Sequence, residues 1–127
     1  MHDTVLLVDD EHHVLTSLTR ILADELFEVV CAGSGEEALK LMETTPVKVV
    51  VSDERMVGMQ GSELLTKIKE LYPHTQRILL TGHASEEATM KAVNQGEIYR
   101  FFTKPWDEDE LKSAIRSAID KYNLEWW

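Results

Sequence analysis

The residues of this sequence best equipped for chemistry are three acids, a hydroxyl and an amine, each standing directly behind an apolar run. Asp9 and Asp10 follow Thr4-Val5-Leu6-Leu7-Val8, and Asp53 follows Val47-Lys48-Val49-Val50-Val51-Ser52. Thr81 follows Arg77-Ile78-Leu79-Leu80, and Lys104 comes after Tyr99-Arg100-Phe101-Phe102. Three carboxylates gathered in one place repel one another unless cations join them, and an ammonium supplies one such charge. The set therefore suits chemistry at an acidic, cation-holding site. Asp53 is the most pointed of these positions. Its run is β-branched and almost without polar alternation, as in a strand covered on both faces in the middle of a parallel sheet. In open α/β sheets ligands bind beyond the carboxyl ends of the strands, so an acid that ends a central strand stands at the mouth of a site.

For these positions to meet, the runs must be neighbouring parallel strands, and the intervening segments read as the helices that connect them. Val14, Leu15, Leu18, Ile21, Leu22 and Leu26 recur at helical spacing after the first strand. Glu28-Val29-Val30-Cys31-Ala32 is a further strand, closed by Gly33. Ser34 with Glu37 three residues on gives a capping-box start to a helix that Thr44-Thr45-Pro46 stops. After the loop from Glu54 to Gly61, Leu64, Leu65, Ile68, Leu71 and Tyr72 trace a third helix, which ends before Pro73. A lightly apolar fourth helix is predicted over residues 85–95, and a fifth begins near Asp107 with Leu111, Ala114, Ile115, Ala118, Ile119 and Tyr122 on one stripe. Strands alternating with helices imply right-handed crossovers, and five such units match the doubly wound order 2-1-3-4-5. In that order the first and third strands are neighbours. Asp9, Asp10, Asp53, Thr81 and Lys104 should then converge at one sheet edge.

Composition narrows the rest. At 127 residues, 43% hydrophobic and 28% charged, the chain suits one compact domain. A formal net charge of -10 argues against non-specific binding to nucleic acid or anionic membranes. The single cysteine, Cys31, allows no internal disulfide and is expected in the core. No apolar run approaches the ~20 residues of a membrane span, and no signal peptide is evident, so a cytoplasmic protein is expected. His12 and His13 are adjacent on a helix, do not share a face, and read as surface residues. Met56 and Met59 read as loop packing.

Four pieces carry a family resemblance: Leu7-Val8-Asp9-Asp10-Glu11, Val51-Ser52-Asp53-Glu54-Arg55-Met56 with Gly61 beyond, Leu80-Thr81-Gly82, and Thr103-Lys104-Pro105. Each is weak alone. In this order, at successive strand ends, they make nearly the whole chain resemble a response-regulator receiver domain, the phosphoacceptor module of two-component signalling, with its flavodoxin-like (βα)5 fold. The resemblance implies that Asp53 accepts a phosphoryl group from a phosphohistidine on a sensor histidine kinase or phosphotransfer protein. It also implies that Asp10 and Asp53 bind Mg²⁺ directly, Asp9 through water, and Arg55 through its backbone carbonyl. The charge arithmetic agrees, since hard carboxylate oxygens favour Mg²⁺ and the ion with Lys104 offsets three negative charges. Thr81 and Phe101 are implied as the switch that answers phosphorylation, Arg55 and His83 as residues tuning its lifetime, and Lys104-Pro105 as a cis peptide. The changed surface would be that of the fourth helix, fifth strand and fifth helix.

The sequence departs from the usual receiver pattern at Val57, where proline is common, at Trp106, where phenylalanine is common, and in one extra residue between Gly96 and Lys104. Gly96-Glu97-Ile98-Tyr99-Arg100-Phe101 with Lys104-Pro105-Trp106 is similar to receivers joined to HD-type cyclic di-GMP phosphodiesterases and to some joined to transcriptional activators. Residues 1–122 would form the receiver and residues 123–127 the start of a C-terminal linker. On this reading Trp126 and Trp127 pack against a C-terminal output domain outside this chain or a second copy in a homodimer. The alternative reading is a Mg²⁺-dependent phosphohydrolase with an aspartyl nucleophile, but such enzymes place a second acid two residues after the nucleophile, whereas Asp9 and Asp10 are adjacent. A flavin-binding module of the same fold would meet acids where a phosphate should sit.

Overall fold

The computed structural model describes residues 3–82 and 100–125. Five strands, β1 (Thr4–Val8), β2 (Glu28–Ala32), β3 (Val49–Asp53), β4 (Gln76–Thr81) and β5 (Arg100–Thr103), form one parallel sheet in the order β2-β1-β3-β4-β5. The helices α1 (His12–Ile21), α2 (Gly35–Met42) and α3 (Gly61–Leu71) and a C-terminal helix (Glu108–Glu125) cover it. The helix expected over residues 85–95 lies outside the described residues. Each helix of the first three follows from its sequence: apolar side chains at helical spacing, with Ser34 Oγ accepting the Glu37 amide at 3.1 Å to start α2. Glu37 reaches back in turn, its Oε2 accepting the Gly33 amide at 3.2 Å.

The pleat divides the interior into two cores. Val5 and Leu7 of β1, Val49 and Val51 of β3, and Ile78 and Leu80 of β4 face α1 and the C-terminal helix, where Leu15, Leu18, Leu111 and Ile115 meet them. Leu6, Val8, Val50 and Leu79 face the other way, onto Ala38 and Met42 of α2 and Leu64, Leu65 and Ile68 of α3. Every residue of β1, β3 and β4 is buried, which is why their sequences lack polar alternation. Burial of each leucine contributes about 1.5–3 kcal/mol.

Three expectations are corrected. Leu26 does not belong to the first helix, which ends at Ile21 and leaves Leu26 fully exposed. Leu22 and Phe27 take the core places on either side, while Asp24 and Glu25 turn toward the C-terminal helix. There Lys112 Nζ lies 3.2 Å from Asp24 Oδ1, holding that carboxyl below its usual range, and Arg116 Nε donates to Glu25 Oε1 at 2.7 Å. Cys31 is exposed, because β2 is an edge strand; its Sγ lies 3.4 Å from Thr19 Oγ1. Leu71, at the last position of α3, is 62% exposed.

At the sheet edge away from Asp53, Lys48 gathers both ends of the domain. Its Nζ donates to Asp3 Oδ1 and to Asn123 Oδ1, and lies 5.5 Å from the centre of the Tyr122 ring. Among the described residues no helix is long and apolar enough to cross a membrane.

Candidate functional site

The carboxyl ends of β1, β3, β4 and β5 bring the expected residues together. Asp53 is the last residue of β3 and is 7% exposed; Lys104, just past β5, sets its Nζ 3.1 Å from Asp53 Oδ1. The lysine is held there by its own backbone, whose amide donates to the Thr81 carbonyl at 2.9 Å and so prolongs the β4–β5 pairing. Thr81 itself is wholly buried. The Lys104-Pro105 peptide is cis, as the resemblance implies. Half-buried Trp106 follows, its ring centre 5.8 Å from Lys104 Nζ.

Asp9 and Asp10 differ although adjacent. Asp9 is buried, and its Oδ1 accepts the Glu11 amide at 2.9 Å. Burial raises its pKa above the ordinary carboxylate value. The Glu11 amide and Lys104 oppose that rise, while the charges of Asp53 and Asp10 add to it. One carboxyl thus feels all the charged groups expected at the site. Asp10 is exposed, and its Oδ2 accepts the Val57 amide at 2.9 Å, tying the β1 end to the loop after β3. Among the described residues no three acid, histidine or cysteine side chains stand close enough together to hold a metal ion by themselves.

Arg55 lies in that loop with an exposed side chain, and Val57 is 86% exposed. Met56 is buried and Met59 half-buried against the α2–α3 core, as loop packing requires. Phe101 is half-buried against the same core, whereas its neighbour Phe102 enters the opposite one, with the Arg100 guanidinium 4.8 Å from its ring centre. His83 lies outside the described residues.

Sequence reasoning passed over Glu54. It directly follows Asp53, is 2% exposed, and spends both carboxylate oxygens on Ser62: Oε1 accepts the Ser62 amide at 2.6 Å and Oε2 the Ser62 hydroxyl at 2.9 Å. Its backbone carbonyl accepts the Gly61 amide at 3.0 Å. The available signal was an acid inside an otherwise buried stretch, paired with a helix start at Gln60-Gly61-Ser62 that lacks a short polar cap. Gln60 indeed makes no side-chain cap hydrogen bond.

Comparison with known proteins decides the family. Residues 5–116 match the family described as the response regulator receiver domain. The chain belongs to that family. The receiver is 38% identical over 122 residues to the hydrogenase transcriptional regulatory protein HoxA of Cupriavidus necator, covering 96% of this chain and 25% of that protein. It is 38% identical over 117 residues to the transcriptional regulatory protein GlrR of Escherichia coli, covering 92% of this chain and 26% of that protein. The signal receiver domain of an HD domain-containing protein from Pseudomonas fluorescens is 36% identical with a TM-score of 0.92, covering 98% of this chain and 99% of that one. Relatives described as transcriptional regulators and as part of an HD domain-containing protein are therefore found. The receiver spans about a quarter of the length of the curated relatives it matches. Receivers of this family are the response modules of two-component systems, and a phosphohydrolase reading finds no support among these relatives.

Proposed function

We propose that Asp53 is the phosphoacceptor of this receiver, taking a phosphoryl group from a phosphohistidine on a sensor histidine kinase or phosphotransfer protein. The observation that carries this reading is the Lys104 ammonium set 3.1 Å from the carboxylate that ends the central strand. An oxygen of Asp53 forms the new bond to phosphorus as the phosphorus–nitrogen bond of the donor breaks, and the departing imidazole keeps the electron pair. Lys104 neutralises charge on the transferring oxygens, and Asp9 keeps the mouth of the site anionic toward a cation.

The donor set fits Mg²⁺. It is all oxygen, it sets three carboxylates against one ammonium, and a divalent ion would offset the charges of Asp53 and Asp10 that, after burial, raise the pKa of Asp9. Asp10, Asp53 and the Arg55 carbonyl would hold the ion, with Asp9 acting through water; an incomplete cage suits an ion that keeps several waters. When bound, Mg²⁺ supplies charge stabilisation to the phosphoryl oxygens.

Phosphorylation replaces one negative charge at Asp53 by roughly two. Thr81, buried at the adjacent strand end, and Phe101, half-buried one strand position before Phe102, are the switch that answers this change. The message would leave through the surface of β5, the C-terminal helix and the fourth helix expected from the sequence, to a C-terminal output domain or a second copy, with residues 1–122 as the receiver and residues 123–127 as the start of a linker. Incubation with acetyl phosphate and Mg²⁺, followed by intact mass measurement, tests the reading. A base-labile adduct on the wild type that is absent from Asp53→Asn is expected. An equal adduct on the variant, or rapid phosphate release without an adduct, overturns it.

A further inference from the structure

The geometry points to Glu54 as a positioning residue that holds the metal-side loop in place through the start of α3. This rests on the phosphoacceptor reading for what the loop does, but not for how it is held. Residues 55–60 leave the sheet at Asp53 and return at Gly61, and Glu54 joins the two ends of that excursion. Its amide donates to the Leu80 carbonyl at 2.9 Å, anchoring it to β4. Its carboxylate takes both the amide and the hydroxyl of Ser62. A helix begins with unsatisfied amides and a partial positive charge, and a short polar side chain at the cap position ordinarily answers both. Here the cap position holds Gln60, which does neither. Glu54 performs the task from just past the end of β3, eight residues away.

The consequence reaches the site through two contacts. Gly61 lies so near Asp53 that the start of α3 sets the position of the Asp53 carbonyl. In the middle of the loop the Val57 amide holds Asp10 Oδ2. Asp10, Glu54 and Arg55 border a single hollow. Without the Glu54 carboxylate, the start of α3 loses two bonds, and the Val57 amide loses its fixed register with Asp10. Glu54 therefore supports the ion without touching it, in the way residues behind metal ligands commonly do, where substitution costs about 10–100-fold in affinity.

Calorimetric Mg²⁺ titration of the whole chain, with hydrogen exchange at the Val57 amide, tests this. Glu54→Ala is expected to bind Mg²⁺ about tenfold more weakly and to lose Val57 protection. Glu54→Gln, which keeps one acceptor oxygen, should fall between. Ile119→Val, a core change on the opposite face of the sheet, controls for general destabilisation and should bind Mg²⁺ as the wild type does. Unchanged affinity in Glu54→Ala, or an equal loss in Ile119→Val, overturns the proposal. If Glu54→Ala does not fold, Ser62→Ala carries the test: it removes one of the two contacts, and weaker binding supports the role while wild-type binding refutes it. Labelling of Asp53→Asn by acetyl phosphate would instead overturn the phosphoacceptor reading, leaving the Mg²⁺ titration to judge Glu54 separately.

Discussion

Adding one methyl group at Gly61 should unsettle both the fold and the reacting carboxylate. A Cβ at this position would stand 2.1 Å from the Asp53 carbonyl oxygen, 2.9 Å from its carbon and 3.0 Å from the Glu54 Cα. Carbon and oxygen settle at roughly 3.3 Å or more, so the backbones must part by about 1 Å. All three obstructing atoms are main chain, and no rotamer change relieves them. Against this, Gly→Ala gains about 0.4–1 kcal/mol by restricting the unfolded chain. Overpacking costs about 1–3 kcal/mol and sometimes more, and a rigid backbone on both sides puts this site at the upper end. The net loss is about 2–3 kcal/mol, or roughly 10 °C in Tm for a domain of this size. Gly82→Ala is the matched control: among the described residues a Cβ there meets nothing within 4 Å, so stability should stay within about 0.5 kcal/mol. Thermal unfolding followed by circular dichroism compares the two, and acetyl phosphate labelling follows Asp53. Equal melting temperatures for both variants would refute the claim that α3 is pressed against β3 at this point.

Lys104→Ala should retain Mg²⁺ binding but slow labelling of Asp53 or blunt the accompanying change in tryptophan fluorescence, since only the ammonium contact is removed; wild-type labelling with a wild-type fluorescence response counts against it. Arg55→Ala and His83→Ala should change the decay rate of the phosphorylated receiver without preventing its formation, measured by mass spectrometry over time, and identical decay in both removes them from the tuning role. Ser34→Ala should cost about 1 kcal/mol in urea unfolding, because the Glu37 amide loses its acceptor. A loss below a few tenths would mean that Glu37, bonded to Gly33, secures the start of α2 unaided.

The sheet was legible because burial on both faces leaves unbroken apolar runs in mid-strand, and β1, β3 and β4 carry that mark in Val5, Leu6, Val50, Val51, Leu79 and Leu80. The candidate site was legible for a related reason: Asp9 and Asp10, Asp53, Thr81 and Lys104 fall at or just past four strand ends, and pieces that are weak alone point together to one sheet edge. Edges and turns were harder. Cys31 has the same apolar neighbours as a core residue, yet its strand has a partner on one side only. Leu26 continues a helical spacing that the chain abandons, because Asp24 and Glu25 find cations on the C-terminal helix 88 and 91 residues away in sequence. Glu54 was missed because its partners, the amide and hydroxyl of Ser62, lie beyond a loop, and the signal that was available, a buried acid beside a helix start without a short polar cap, spans eight residues.

Lys48 joins Asp3 to Asn123, so the two described ends of the chain lie within reach of a single side chain. Topologically the domain is nearly a closed ring, and its seam lies across the sheet from Asp53. A linker of a few residues across that seam, with new termini opened between exposed Glu43 and Thr44, would leave every strand neighbour unchanged. Such a permuted chain would begin with the strand that carries Asp53 and finish with α2. The central strand would then leave the ribosome first, and the order of synthesis could be changed without altering the order of the sheet.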